Sequence, residues 1–167
     1  LCDEDLSTYD TNKKMNPPLR TRSDVKAIIE GLADGTIDVI ASDHAPHVPD
    51  EKAVEFDAAA FGVIGLETSL GVVLTRLVAN GVLMPADVVE KMSVWPSRIL
   101  GVPGGTLSVG GTAALTIINP DAEWRVEPST FYSKARNCPF AGSDLRGFAC
   151  CTMVGGRVVY ERAGNRG

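Results

Sequence analysis

The feature that most constrains the fold is a short, nearly continuous apolar run, Ile37-Asp38-Val39-Ile40-Ala41. Its residues alternate too little for a strand with one solvated face, and such runs are typical of parallel sheets covered on both faces. The sequence offers no second run of this kind, and a lone strand–helix unit is unstable without neighbours. Because the sequence also begins at Leu1 rather than Met, we expect the C-terminal portion of a larger α/β protein, with the neighbouring strands upstream or in another chain.

Apolar spacing and turn residues predict the remaining elements. The helices are expected around Val25–Leu32 (with Ser23 as its cap), Leu66–Asn80, Pro85–Met92 and Pro96–Leu100. After the glycine-rich boundary near Gly101 the pattern changes, and strands are expected at Ala113–Ile118, Phe148–Val154 and Arg157–Glu161. Gly155-Gly156 should join the last two strands in a tight hairpin, and the tail after Arg162 should fray.

Composition excludes several classes of protein. The 167 residues are 44% apolar and 22% charged, with a net charge of −5, which is typical of a folded domain and not of a disordered chain. No apolar run approaches the ~20 residues of a membrane-spanning helix, and no basic surplus favours nucleic acid. The four cysteines form no C-x-x-C pair. Free thiols are therefore expected, and with them a reducing, cytoplasmic location.

Both histidines lie in one hexapeptide, Ser42-Asp43-His44-Ala45-Pro46-His47, directly after the predicted buried strand. In barrels of parallel strands, catalytic groups occupy this position, where a strand ends and its loop begins. Pro46 prevents a regular helix, so the two histidines need not share a face. A functional Asp43 competes with a simpler interpretation, in which Asp43 and His44 form a hydrogen-bonded pair that ends the strand.

Three other segments also have simple structural interpretations. Asn16 could be a turn residue before proline, Phe61-Gly62 could be a core aromatic residue beside a turn, and Lys13-Lys14 could be part of a solvated face. A complete zinc site built from the hexapeptide alone is disfavoured, because zinc requires more ligands than it offers.

A resemblance changes this balance. The segment Lys14 to Arg20 (KMNPPLR), the segment Asp34 to Asp38 (DGTID) and the pattern D-x-A-P-H-x4-K, met here from Asp43 to Lys52, are similar to class I dihydroorotases. Further similar stretches are Phe61 to Thr68 and the region from Cys138 to Tyr160. The order and spacing of these short elements make the resemblance specific, and it covers nearly the whole chain.

The resemblance implies a fold and an activity. The fold is a TIM-like (β/α)8 barrel of the metal-dependent amidohydrolases, flanked by a small β-sandwich. Residues 1–101 then correspond to the C-terminal part of the barrel, with its last strand at about 37–41, and residues 102–167 to the sandwich portion with a terminal hairpin. The implied reaction is the reversible cyclisation of N-carbamoyl-L-aspartate to (S)-dihydroorotate in pyrimidine biosynthesis.

The resemblance also implies site residues. Asp43 corresponds to a zinc-binding aspartate that acts as the catalytic acid and base, while Asn16, His47, Phe61 and Gly62 correspond to substrate-binding positions. The cofactor is zinc, whose other ligands are expected upstream of this chain, so the chain alone should be inactive. Zinc lowers the pKa of bound water to about 7, and a neighbouring carboxylate can carry the proton. No role is implied for His44.

Two other functions stay open, together with two macromolecular partners. The chain could belong to a non-catalytic dihydroorotase-like partner of aspartate transcarbamoylase, or to an enzyme for hydantoin, dihydropyrimidine or allantoin. Asn16 together with the A-P-H segment favours dihydroorotate. The expected partners are the small-molecule substrate, a second copy in a homodimer, and aspartate transcarbamoylase; nucleic acid and membrane are not expected.

Overall fold

The computed structural model describes residues 1–162, which form two compact units. Unit 1 comprises Leu1–Ile37, Ala41–Ser69 and Arg125–Asp144, and unit 2 comprises Asp38–Ile40, Leu70–Trp124 and the residues from Leu145 onward. The division predicted after residue 101 concerns the whole protein and stays a prediction. Residues 163–167, the whole of the tail predicted to fray, lie outside the described residues.

Unit 1 contains the first long helix, α1 (Arg22–Asp34), and a short helix, α2 (Pro49–Lys52). The predicted helix is confirmed, although Ile28 of its apolar spacing is 54% exposed, and the predicted cap, Ser23, is wrong. Thr21 caps α1 instead, because its hydroxyl accepts a hydrogen bond from the Asp24 amide at 3.2 Å while the Asp24 carboxylate accepts one from the Thr21 amide at 3.1 Å. Gly35, with φ of 84°, ends the helix in the left-handed conformation. Three single 3₁₀ turns complete the unit, at Asp3–Leu6, Thr11–Lys13 and Pro128–Thr130.

The remaining helices are longer than predicted in one place and shorter in another. Helix α3 (Ser69–Val73) begins three residues later than the predicted Leu66, and it continues as a π-helical turn at Leu74–Val78. Helices α4 (Pro85–Val89) and α5 (Trp95–Leu100) were predicted as separate, but a π-helical turn at Glu90–Val94 joins them. A proline ring in a regular α-helix clashes with the carbonyl four residues earlier, and the residues directly before α5 form a π-helical turn instead of a regular one.

Unit 2 contains a three-stranded sheet in the order β1-β2-β3, with β1 at Leu115–Arg125, β2 at Asp144–Val154 and β3 at Arg157–Glu161. Strands β2 and β3 pair antiparallel through Val154 and Arg157. The hairpin glycines have φ of 55° and 78°, which only glycine adopts readily, so the predicted turn is confirmed. Strands β1 and β2 extend well beyond their predicted bounds, and Pro120 is tolerated because β1 lies at the edge of the sheet.

Residues 37–41, predicted as a buried strand, form no strand and pair with none within residues 1–162, and none of the five is fully buried. A strand is defined by its hydrogen-bonded neighbours, and the parallel neighbour expected for this run is not among the described residues. Parallel pairing occurs slightly later, as a single bridge between His44 and Val63.

Two predictions from composition can be compared with the structure. All four cysteines are free, as expected. Within residues 1–162, the structure holds no helix with the length and apolar character needed to cross a membrane.

Candidate functional site

In unit 1 the hexapeptide that contains both histidines lies against the segment after Ala60. The Ala45 amide donates to the Val63 carbonyl at 2.9 Å, beside the bridge between His44 and Val63. The next residue, Ile64, is fully buried, and its amide donates to the Asn137 carbonyl at 3.0 Å. This pairing places the loop that carries Asp43 and His47 alongside the segment that contains Phe61 and Gly62.

The His47 ring has a partner on each nitrogen. Nδ1 lies 2.9 Å from Oε2 of Glu51, and Nε2 lies 2.8 Å from the Phe61 carbonyl oxygen. Helix α2 begins at a proline and places Glu51 four residues after His47. Both partners are hydrogen-bond acceptors, so each is placed to accept from a ring nitrogen that carries a proton. The same contact lowers the pKa of Glu51, since the ring hydrogen bond favours its charged form.

Gly62 fits this arrangement because it has no side chain. Its φ is 131°, and a Cβ at this position would lie 2.6 Å from the Ala45 Cβ and 3.0 Å from Nε2 of His47. Its amide donates to the Lys14 carbonyl at 3.0 Å. The adjacent Phe61 is 59% exposed, so its interpretation as a core aromatic is wrong. The structure therefore brings three predicted site residues, His47, Phe61 and Gly62, into contact.

Two buried lysines hold the backbone around these residues. Lys52 is 5% exposed, and its Nζ donates to the carbonyls of Ala60 at 2.8 Å, Gly62 at 3.1 Å and Lys14 at 3.4 Å. Burial lowers the pKa of Lys52, and the nearby charge of Lys14 lowers it further. Lys14 is also buried, so its interpretation as part of a solvated face is wrong.

The Lys14 ammonium is satisfied by a different stretch of the same loop. Its Nζ donates to the carbonyls of Phe56 at 2.7 Å and Asp57 at 2.9 Å, and it lies 4.4 Å from the centre of the Phe61 ring. This position over the ring face gives a cation–π contact. Lys14 therefore fixes both the carbonyl that binds Gly62 and the exposed ring beside it.

Sequence reasoning missed one further residue of the site, Asn137. Its side chain is 3% exposed, and Nδ2 donates to the carbonyls of Ala45 at 2.9 Å and Gly62 at 3.1 Å. Its Oδ1 accepts a hydrogen bond from the His47 amide at 3.3 Å, across 90 positions of sequence. The one available signal was that Asn137 directly precedes the Cys138-Pro139-Phe140 stretch of the resemblance.

Asp43 and Asn16 are placed differently from the other three predicted residues. Both are exposed, and within residues 1–162 neither side chain hydrogen-bonds to the His47 and Gly62 group. Asp43 has φ of 41°, a left-handed conformation that aspartate tolerates better than most residues and that often marks functional positions. The alternative of an Asp43–His44 pair is not formed in the described residues, since Nδ1 of His44 accepts from the Gly65 amide at 3.1 Å.

These side chains can be tested as zinc ligands. The exposed Asp43 carboxylate suits zinc, which accepts oxygen ligands. His44 does not suit it as placed, because an accepting Nδ1 leaves the proton of the neutral ring on Nε2. Both nitrogens of His47 already have partners. Residues 1–162 thus offer one ligand here, Asp43, against the three that catalytic zinc sites use.

Comparison with known proteins identifies the family of this chain. The sequence profile of the amidohydrolase family matches residues 5–159. The dihydroorotase of Pelotomaculum thermopropionicum is 56% identical over 161 residues, and that of Geobacter metallireducens is 52% identical over 162 residues. These alignments cover 96% and 97% of this chain and 38% of each relative, so the chain spans about 38% of their length.

Solved structures of two hydantoinases share the fold of this chain. An L-hydantoinase (dihydropyrimidinase) from Arthrobacter aurescens superimposes with a TM-score of 0.90 at 34% identity, covering 96% of this chain and 37% of its own. A D-hydantoinase (dihydropyrimidinase) from a Thermus species superimposes with a TM-score of 0.81 at 25% identity, covering 90% of this chain and 34% of its own.

Proposed function

This chain belongs to the amidohydrolase family, and from that premise we propose that it forms part of a dihydroorotase. The predicted fold class, the C-terminal part of a (β/α)8 amidohydrolase barrel with strands of a small β-sandwich, is confirmed. The single observation that carries the proposal is the contact between the D-x-A-P-H-x4-K segment and Phe61-Gly62, with Nε2 of His47 2.8 Å from the Phe61 carbonyl. Identities of 51–56% to dihydroorotases over nearly the whole chain support it.

In this proposal, His47 and the Phe61-Gly62 backbone bind the substrate. To bind substrate, one His47 ring nitrogen exchanges its present partner, Glu51 or the Phe61 carbonyl, for a substrate carboxylate, which both the ring form and the open form carry. The buried Gly62 has no Cβ, so a flat cyclic amide can approach its backbone closely. Asn16 offers a donor and an acceptor on one exposed side chain, which suits the amide groups of the ring.

Asp43 carries the proton in the proposed reaction. It accepts the proton of the water that attacks the ring carbonyl carbon, and it returns that proton to the ring nitrogen as the carbon–nitrogen bond breaks. Ring closure follows the same steps in reverse. Amidohydrolases are generally metal-dependent, and we propose zinc, with Asp43 as one ligand and the others outside residues 1–162. When bound, zinc supplies a nucleophile at neutral pH by lowering the pKa of water to about 7.

Substitution of Asp43 in the full-length protein tests this role. We expect Asp43→Asn to abolish turnover and to leave the thermal midpoint nearly unchanged, because asparagine tolerates φ of 41° as aspartate does. Asp43→Ala should also abolish turnover. Asp50→Asn, which alters an exposed carboxylate on α2, is the matched control and should keep full turnover. Normal turnover in Asp43→Asn would refute the assignment.

A hydantoinase is the second candidate, favoured by the TM-score of 0.90 to the L-hydantoinase of Arthrobacter aurescens. Rates measured on dihydroorotate, hydantoin, dihydropyrimidine and allantoin distinguish the two. We expect dihydroorotate to be preferred, because the higher identities are to dihydroorotases and Asn16 accompanies the A-P-H segment. Preference for hydantoin would establish the second candidate.

The finer expectations about partners and location remain proposals. We propose a homodimer and an association with aspartate transcarbamoylase, in the cytoplasm. A non-catalytic role beside that partner is the remaining alternative, and the absence of turnover on all four ring substrates would favour it.

A further inference from the structure

Asn137 connects the two segments that form the candidate substrate site. Its Nδ2 donates to the Ala45 and Gly62 carbonyls at 2.9 Å and 3.1 Å, while its Oδ1 accepts from the His47 amide at 3.3 Å. Its own backbone carbonyl accepts from the Ile64 amide at 3.0 Å. The side chain is buried, so water does not compete for these groups.

We propose that Asn137 is a positioning residue, which fixes the His47 loop against the Phe61-Gly62 segment and thereby sets substrate affinity. This inference rests on the proposed function. Asn137 contacts only backbone groups in both segments, so it acts through His47 and Gly62 rather than on the substrate.

The amide chemistry explains why asparagine suits this position. Two carbonyl oxygens, those of Ala45 and Gly62, converge on one NH₂ group, and the His47 amide requires an acceptor on the same planar side chain. Aspartate would keep the acceptor but would place a charged oxygen against two carbonyls. Glutamine is longer by one carbon–carbon bond, about 1.5 Å, and the distances of 2.9–3.3 Å leave no space for it.

The remaining contacts show which part of the loop depends on Asn137. Gly62 keeps a second donor, since Lys52 also binds its carbonyl at 3.1 Å. Ala45, which lies two residues after Asp43, keeps its hydrogen bond to the Val63 carbonyl at 2.9 Å, so the backbone near Asp43 stays held. The His47 amide has its hydrogen bond to Asn137 alone among the described residues. Loss of Asn137 should therefore loosen the His47 backbone, whose ring keeps only its contacts with Glu51 and Phe61, while Asp43 and Gly62 keep their places.

This difference predicts a specific kinetic signature. If His47 binds substrate and Asp43 carries the proton, then Asn137→Ala in the full-length protein should raise KM for dihydroorotate by about tenfold and change kcat by less than about threefold. A purely structural role would instead reduce the fraction of folded enzyme, which lowers kcat and leaves KM unchanged.

A control variant separates an effect on the position of His47 from a general loss of folding stability. Val126 lies in the same unit and is 1% exposed, and its amide donates to the Ser143 carbonyl, away from the His47 loop. Val126→Ala should lower the thermal midpoint without changing KM. Hydrogen–deuterium exchange at the His47 amide is a second readout, and it should be faster in Asn137→Ala and unchanged in Val126→Ala.

Asn137→Asp provides a second variant of the same volume, in case the alanine variant does not fold. It keeps the acceptor for the His47 amide and loses both donors, so we expect a raised KM with a protected His47 amide. An unmodified full-length protein without dihydroorotase activity would overturn the proposed function. Activity together with an unchanged KM in both Asn137 variants and unchanged His47 exchange in Asn137→Ala would overturn only the role of Asn137.

Discussion

Gly62→Ala is the sharpest test of how the candidate site is packed. The added methyl group would lie 2.6 Å from the Ala45 Cβ and 3.0 Å from Nε2 of His47, whereas unstrained carbon contacts are about 3.5–4.0 Å. Either the His47 loop or the Phe61-Gly62 segment must move by about 1 Å to relieve this overlap. Because Lys52 and Asn137 both hold the Gly62 carbonyl, we expect the His47 loop to move.

The expected loss of stability has two parts. A non-glycine residue at φ of 131° costs about 1–3 kcal/mol in backbone strain. Overpacking a filled site by one methyl group costs about a further 1–3 kcal/mol. The total is about 2–6 kcal/mol in the free energy of unfolding, from which the lower flexibility of alanine in the unfolded chain subtracts up to about 1 kcal/mol.

Gly35→Ala is the matched control. Gly35 also has positive φ, 84°, but a Cβ there would have no atom within 4 Å. Its cost is therefore the backbone strain of about 1–2 kcal/mol alone. Urea unfolding and dihydroorotate kinetics of the two full-length variants should show a larger loss of stability, and a raised KM, only for Gly62→Ala. Equal losses of stability with unchanged KM would refute the packing described here.

Two further predictions concern the buried ionisable groups. Lys52→Met removes the donor to the Ala60 and Gly62 carbonyls, so we expect the free energy of unfolding in urea to fall by about 1–3 kcal/mol and KM to rise. The control Lys26→Met alters an exposed lysine and should change stability by less than about 0.5 kcal/mol. Equal effects of the two substitutions would contradict the role of Lys52. Burial raises the pKa of the Cys138 thiol above 9.0, so the unfolded chain ionises first and stability is lost as pH rises from 9.0 through the higher folded value. Cys138→Ala should reduce this alkaline loss, measured as urea midpoints at about pH 8 and pH 10; an unchanged loss would contradict the assignment to Cys138.

The sequence predicts best those features that depend on neighbours along the chain. Helix α1 and the Gly155-Gly156 hairpin are local, and the structure confirms both. The choice between Thr21 and Ser23 as helix cap is a difference of two residues, and both side chains can cap. The joining of α4 and α5 was missed because a proline such as Pro96 typically begins a helix, and no local pattern marks the π-helical turn at Glu90–Val94.

Features that depend on distant contacts were predicted less well. Lys14 sits beside another lysine in a polar stretch, which is typical of a solvated face, yet carbonyls 42 and 43 positions away satisfy its ammonium group. Asn137 has no local pattern that marks it as important, because its three partners lie 75 to 92 positions away in sequence. The resemblance predicts roles for His47, Phe61 and Gly62 but gives no reason for their spacing, which only the folded contacts provide.

Those contacts separate the D-x-A-P-H-x4-K pattern into chemistry and support. In the proposed function Asp43 carries the proton and His47 binds substrate, whereas Lys52 donates to three backbone carbonyls and supports the loop. The single turn of α2, Pro49–Lys52, accounts for the spacing between His47 and Lys52. This turn sets Glu51 against the His47 ring and directs Lys52 toward Gly62. Since support of this kind is needed to hold a binding side chain, a relative that keeps Asp43 and His47 but loses Lys52 should bind substrate weakly and still turn it over.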